Sequence, residues 1–70
     1  MERQHVQSSN INSVGYDREN QILEIEFHSG GVYQYNDVPG GIYESFMTAN
    51  SKGKYFYLYI NKHYRFRKIK

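Results

Sequence analysis

Seven lysines and arginines fall within residues 51–70, and no Asp or Glu accompanies them. Residues 1–50 hold two cations and seven carboxylates, so the net charge of +2 conceals a polarised chain. Aromatic side chains are interleaved with the C-terminal cations, at Tyr55, Phe56, Tyr57, Tyr59, Tyr64 and Phe66. Positive charge beside flat rings suits phosphates and unstacked bases. The pattern therefore predicts a nucleic-acid-binding surface formed by Lys62, Arg65, Arg67, Lys68, Tyr57 and Tyr59.

RNA is the leading partner under this interpretation, captured by the cations while Tyr57 or Tyr59 stacks on a base. The same charges also fit a solvated surface that keeps an edge strand from pairing with other chains. An alternative function is a protein-interaction or self-association module that uses an exposed strand edge or a tyrosine-rich patch. Binding through such a surface would depend less on salt than binding to RNA.

No set of residues indicates catalysis, a metal site or a cofactor. The chain has no Cys, and its three histidines are far apart in sequence, at none of the spacings typical of metal sites. Glu24 and Glu26 share one strand face without a nucleophile nearby, and the run from Ser51 to Lys54 lacks the glycine spacing of a phosphate loop. A non-enzymatic binding module is therefore predicted.

Apolar runs are far shorter than the roughly 18 residues that span a bilayer, and the polar N-terminus has no signal-peptide pattern. A cytoplasmic protein without a membrane partner is expected. We place a flexible lead-in at residues 1–9 and a single domain at residues 10–70.

The elements that must position the cations form an α+β pattern. Leu23, Ile25 and Phe27 alternate with the two glutamates, which predicts a strand with its apolar face on the core and its glutamates facing water or a partner. Strands are also predicted over residues 11–16, 32–36 and 64–69, the last as an edge strand, giving an antiparallel sheet of three or four strands. Tyr33 and Tyr35 share one face of the third strand, where they either pack the core or form a stacking platform.

One or two short helices should pack on one face of this sheet. Pro39 suits the first turn of a helix that runs to about Ala49. Ser51 can cap a second helix through Ile60, although the tyrosines at 55, 57 and 59 also alternate as in a strand.

A set of residues spread over almost the whole chain follows a familiar order: Ser9, Ile11, Val14-Gly15-Tyr16-Asp17, Leu23, Ile25, Phe27, Gly30, Tyr33-Gln34-Tyr35, Val38-Pro39, Tyr43, Met47, Ala49, Ser51, Gly53, Tyr55-Phe56, Ile60 and Tyr64. This order resembles the KTSC domain, a module named for the C-terminus of some lysyl-tRNA synthetases and also found as a stand-alone bacterial protein. The resemblance implies RNA binding only because some members of the family are fused to a tRNA enzyme. The chain has Tyr57, Asn61 and Arg65 where the family often has Asn, Arg and Pro, so those family residues are not carried over.

Overall fold

Five antiparallel strands follow one another in chain order across a single sheet in the structure, a computed structural model that describes residues 1–70. The strands are β1 (Gln4–His5), β2 (Ile11–Asp17), β3 (Ile22–Phe27), β4 (Val32–Tyr35) and β5 (Phe66–Lys68). The sequence predicts three or four strands, whereas the sheet has five. The missing strand is β1, whose two exposed polar residues give no alternation and pair with β2 through the backbone alone.

The two predicted helices are confirmed. Helix α1 (Gly40–Thr48) begins directly after Pro39, and helix α2 (Lys52–Tyr55) continues into a π-helical segment (Phe56–Ile60). The Ser51 hydroxyl caps α2 by accepting a hydrogen bond of 3.2 Å from the backbone N–H of Lys54. Neither helix is long and apolar enough to span a membrane.

The core lies between the sheet and these helices. Leu23 and Ile25 of β3 are fully buried beneath Phe46 of α1 and Ile60 of the π-helical segment. A β-bulge between Ile11 and Ser13 shifts the β2–β3 register. The sheet thus has a helix-bearing face, with Ile25 and Tyr35, and a helix-free face, with Glu24 and Gln34.

The first nine residues contribute ordered contacts in the structure, whereas the sequence predicts a lead-in there and a folded start near Asn10. Two of these residues form β1, and Val6 is buried in the core cluster. Glu2 crosses the helix-free face over Gly15, where an added Cβ would lie 2.6 Å from the Glu2 carbonyl oxygen. A side chain at position 15 would therefore displace the N-terminal segment.

A polar network covers the helix-free face and corrects the expectation that Glu24 points to water or to a partner. Glu24 is only 4% exposed, because Arg3 Nη1 lies 2.5 Å from one carboxylate oxygen and Gln34 Nε2 donates to the other at 2.8 Å. Arg3 Nε also donates to the Ser13 hydroxyl, which donates to Glu26. Each buried polar side-chain atom thereby has a partner.

The pKa shifts of two surface carboxyl groups, those of Glu26 and Asp17, determine how the stability of the fold should change with pH. Hydrogen bonds from Ser13 and Asn12 hold the pKa of Glu26 below its ordinary value of 4.5, and hydrogen bonds from Asn20 hold the pKa of Asp17 below 3.8. A pKa lowered by folding stabilises the folded state above the ordinary value, and this contribution is lost as the pH falls. We expect the thermal midpoint of unfolding to decrease as the pH is lowered below about 4.5. Thermal melts monitored by circular dichroism at several pH values would measure this decrease. The variant Glu26→Gln should make the decrease smaller. A midpoint that rises on acidification would contradict the assignment.

Candidate nucleic-acid interface

An aromatic cleft of about 370 Å³ opens on the helix-bearing face, between β3–β5 and the π-helical segment. Its lining consists of Phe27, Ser29, Tyr33, Tyr35, Phe56, Asn61 and Phe66. Ring contacts join the walls: Phe27 meets Tyr33 edge to face at 5.6 Å, and Tyr33 meets Phe66 at 6.0 Å. Phe66 remains 54% exposed, so the cleft has one open aromatic wall.

Strand register places the two tyrosines of β4 in this cleft with different roles. Tyr35 pairs with Phe66 across β5 and is 3% exposed, with Phe56 packed edge to face on its ring at 5.6 Å. Tyr33 pairs with Lys68 and is half-buried. Of the two roles open from the sequence, Tyr35 takes core packing, and Tyr33 forms part of the cleft wall.

Four polar side chains of the cleft, those of Ser29, Tyr33, Tyr35 and Asn61, have no hydrogen-bond partner within the protein. The Tyr35 hydroxyl belongs to the most buried of these residues. Burial raises the pKa of Tyr35 to about 12, so its hydroxyl is a neutral donor and acceptor at physiological pH. Since no fully buried side-chain oxygen lacks a partner, the small exposed fraction of Tyr35 includes this hydroxyl. A ligand in the cleft can therefore reach it.

A second cleft, of about 360 Å³, adjoins the first and shares Phe27, Ser29 and Phe56 with it. Tyr57 lines this adjoining cleft and is 70% exposed. Tyr59 lies elsewhere, with its ring 4.7 Å from that of Tyr55 beside a separate groove near Ala49. The structure thus brings only one of the two predicted stacking tyrosines to the clefts.

The four predicted cations, which we call the tail cations, do not all lie on one side of β5. Lys68 pairs with Tyr33 and lies on the helix-bearing face, where its Cε would be 3.7 Å from a Cβ added to Gly31 beside the Tyr33 ring. Lys62 directly follows Asn61 of the cleft and adopts a left-handed backbone conformation with φ of 67°. Lys68 thus lies on the face that carries the aromatic cleft, and Lys62 is the chain neighbour of a residue in the cleft lining.

The other two tail cations lie on the helix-free side. Arg67 pairs with Gln34 in register and donates to its Oε1 at 3.3 Å. The carbonyl of Arg65 accepts a hydrogen bond from Asn36, which continues the ladder, so side-chain alternation places Arg65 on the side of Arg67. The predicted cations therefore do not form a single patch: Lys68 lies on one side of the edge strand, and Arg65 and Arg67 lie on the other.

None of the tail cations is paired with a carboxylate. The two ion pairs of the protein join Arg3 to Glu24 and Arg18 to Glu44, both outside the C-terminal segment. All four tail cations are exposed. Their charge is therefore available to an anionic partner.

The sequence interpretation did not include Phe27, Asn61 and Phe66 among the binding residues and left the role of Tyr33 open. Alternation along the third strand already places Tyr33 and Tyr35 on one face. Phe66 lies opposite Tyr35 because of the β4–β5 register, which the residue pattern does not specify. The same holds for Asn61, whose position depends on the π-helical turn that it ends.

An antiparallel five-stranded meander with two short helices on one face defines a small α+β module. The model of the KTSC domain family matches residues 7–64, and the chain belongs to this family.

Three similar proteins illustrate the family. The crystal structure of a KTSC domain protein from Yersinia pestis matches with a TM-score of 0.96 and 46% identity, covering 99% of this chain and 97% of that one. An uncharacterized protein of Stutzerimonas stutzeri (strain A1501) is 43% identical over 70 residues, covering 99% of both chains. A lysine–tRNA ligase of Nostoc punctiforme is 36% identical over 63 residues. That match covers 90% of this chain but 11% of the ligase, so it concerns one segment of a much longer enzyme.

Proposed function

We propose that this domain is a non-enzymatic module that binds single-stranded RNA. The observation that carries the proposal is an open aromatic cleft on the same face as Lys68, an exposed cation that has no carboxylate partner. Proteins that bind single strands combine a positive groove for the backbone with aromatic rings on which bases stack. RNA is favoured over DNA because relatives include segments of lysine–tRNA ligases, whose name specifies an RNA substrate.

Five of the six predicted residues bind the strand in this proposal. Lys62 and Lys68 bind phosphates at the mouth of the aromatic cleft, and Tyr57 stacks on a base in the adjoining cleft. Arg65 and Arg67 add positive charge on the other side of β5, where a strand that crosses the edge meets them. Tyr59 lines a separate groove, where its ring packs against that of Tyr55, and it takes no part in base stacking.

Salt dependence tests the electrostatic part of the proposal. Fluorescence anisotropy of a labelled mixed-sequence octaribonucleotide should give saturable binding at about 50 mM salt, with log affinity falling by about 0.7 per log unit of salt for each phosphate engaged. Engagement of two to four tail cations predicts a slope of about −1.4 to −2.8. Absence of a saturable change at the lowest salt concentration would reject the proposal.

Two further oligomers serve as controls in the same assay. A hairpin RNA with a fully paired stem and a minimal loop should bind more weakly than the octamer, because paired bases cannot enter an aromatic cleft. The DNA octamer of the same sequence measures the contribution of the ribose hydroxyls. Equal affinity for RNA and DNA would make the domain a general binder of single strands rather than an RNA-binding module.

Self-association is the second candidate function, and one observation favours it. Tyr57, Leu58 and Tyr59 are three consecutive exposed apolar side chains on the π-helical segment. The strand edges favour it less, because β1 has two residues and β5 has three, with cations along it. Sedimentation velocity at increasing protein concentration tests this function, and Leu58→Ser should abolish any dimer that uses the patch.

A further inference from the structure

We propose that the aromatic cleft takes one unstacked base of the bound strand, and that the Tyr35 hydroxyl and the Asn61 amide read the edge of that base. The inference rests on the proposed function and adds selectivity among bases to it. Electrostatic capture alone binds any sequence equally well, whereas contacts to base edges distinguish one base from another.

The shape of the cleft carries the first step. Its volume of about 370 Å³ falls at the lower end of the range for small-ligand sites, and aromatic rings supply most of its lining. Phe66 is a half-exposed ring at the open side, backed by Tyr33 and Tyr35 at 6.0 and 5.7 Å. A flat heterocycle can therefore lie on a ring that its neighbours already hold in place.

The unpartnered polar groups carry the second step. Only 3% of the surface of Tyr35 is exposed, yet its hydroxyl has no hydrogen-bond partner in the protein. The hydroxyl is therefore available to a ligand as a donor and as an acceptor. The Asn61 side chain adds an amide donor and a carbonyl acceptor, and its backbone is held by a 2.8 Å hydrogen bond from its N–H to the Phe56 carbonyl. In apolar binding sites, a small number of polar groups usually fixes the orientation of the ligand.

Charge around the cleft carries the third step and favours a base that belongs to a phosphate chain. No carboxylate lines the cleft, so nothing in it would attract a cationic ligand. Lys62 follows Asn61 directly, and Lys68 lies beside Tyr33 on the same face. A base inserted between these lysines would direct its sugar and phosphates toward both of them.

The test compares a labelled uridine octamer with an abasic octamer that keeps every ribose and phosphate but has no bases. At the same salt concentration, wild-type protein should bind the intact octamer at least about tenfold more tightly, since one stacked base contributes that much. Phe66→Ala should lose roughly tenfold or more in affinity for the intact octamer and leave affinity for the abasic one unchanged. Phe66→Leu is the matched control for apolar volume, and thermal melts verify that each variant folds.

Selectivity is tested with four homopolymeric octamers and the variants Tyr35→Phe and Asn61→Ala. Tyr35→Phe keeps the ring that packs the core and removes only the hydroxyl. Each variant should change the ratio of affinities among the four octamers by several-fold and leave the salt slope unchanged. Identical ratios in wild type and both variants would overturn base reading.

The possible failures of the two proposals are distinguishable. Salt-dependent binding that is equal for intact and abasic octamers, and unaffected by Phe66→Ala, would overturn base insertion while leaving electrostatic RNA binding in place. Absence of binding to any octamer would reject the proposed function and base insertion together.

Discussion

The double variant K62E/K68E is expected to weaken binding of a single-stranded octaribonucleotide on the order of a hundredfold at about 50 mM salt. An exposed charge pair contributes up to about 1 kcal/mol, and reversing the charge replaces attraction with repulsion of similar size. Two such sites give up to about 4 kcal/mol, and a loss of about 3 kcal/mol corresponds to the order of a hundredfold in affinity. The salt slope should also shrink by about 1.4, the amount expected for two lost phosphate contacts. Anisotropy titrations at several salt concentrations measure both quantities.

The matched control is R65E/R67E, which changes the net charge by the same amount. Arg65 and Arg67 lie across β5 from the aromatic cleft, so long-range attraction is affected equally but the local phosphate contacts remain. We expect a loss nearer tenfold for this variant. A loss equal to or greater than that of K62E/K68E would contradict a binding path along the cleft and place it on the helix-free face. Because Arg67 contacts Gln34, thermal melts must accompany the comparison.

Local sequence signals predict most of the fold because they concern single elements. Alternation along residues 23–27 places Leu23 and Ile25 in the core, where both are fully buried. Ser51 caps a helix as its position suggests, since its hydroxyl reaches the Lys54 amide. The ambiguous period over residues 55–60 also has a physical reason: a π-helical turn has neither the period of an α-helix nor that of a strand.

Features that depend on contacts between distant elements could not be predicted from the sequence. Strand β1 is held by backbone pairing, which its polar side chains do not signal. Glu24 has the alternation of an exposed residue and is buried only because Arg3 and Gln34, far away in the chain, converge on it. The division of the tail cations likewise follows from the pairing of Lys68 with Tyr33, a register that the charge pattern does not contain.

Arg3→Ala is expected to lower the free energy of unfolding by about 3 kcal/mol, because it leaves the buried Glu24 carboxylate without its counter-ion. Breaking a buried ion pair by removing one partner typically has an effect of about 3 to 5 kcal/mol. The Arg3 side chain is 28% exposed, so the lower end of that range applies. For a domain of this size the thermal midpoint should fall by roughly 12 to 24 °C. Urea unfolding and thermal melts measure the change.

Arg18→Ala is the matched control, because it breaks the other ion pair of the protein in an exposed setting. The Arg18 and Glu44 side chains are 64% and 57% exposed, and Arg18 also lies 5.4 Å from the centre of the Tyr43 ring. Solvent screening keeps the loss on removing Arg18 small. Equal small losses for both variants would mean that water reaches Glu24 once Arg3 is gone, and that the N-terminal segment adds little to the fold. A large loss for Arg3→Ala alone, relieved when Glu24→Gln is added, would establish residues 1–9 as part of the folded domain.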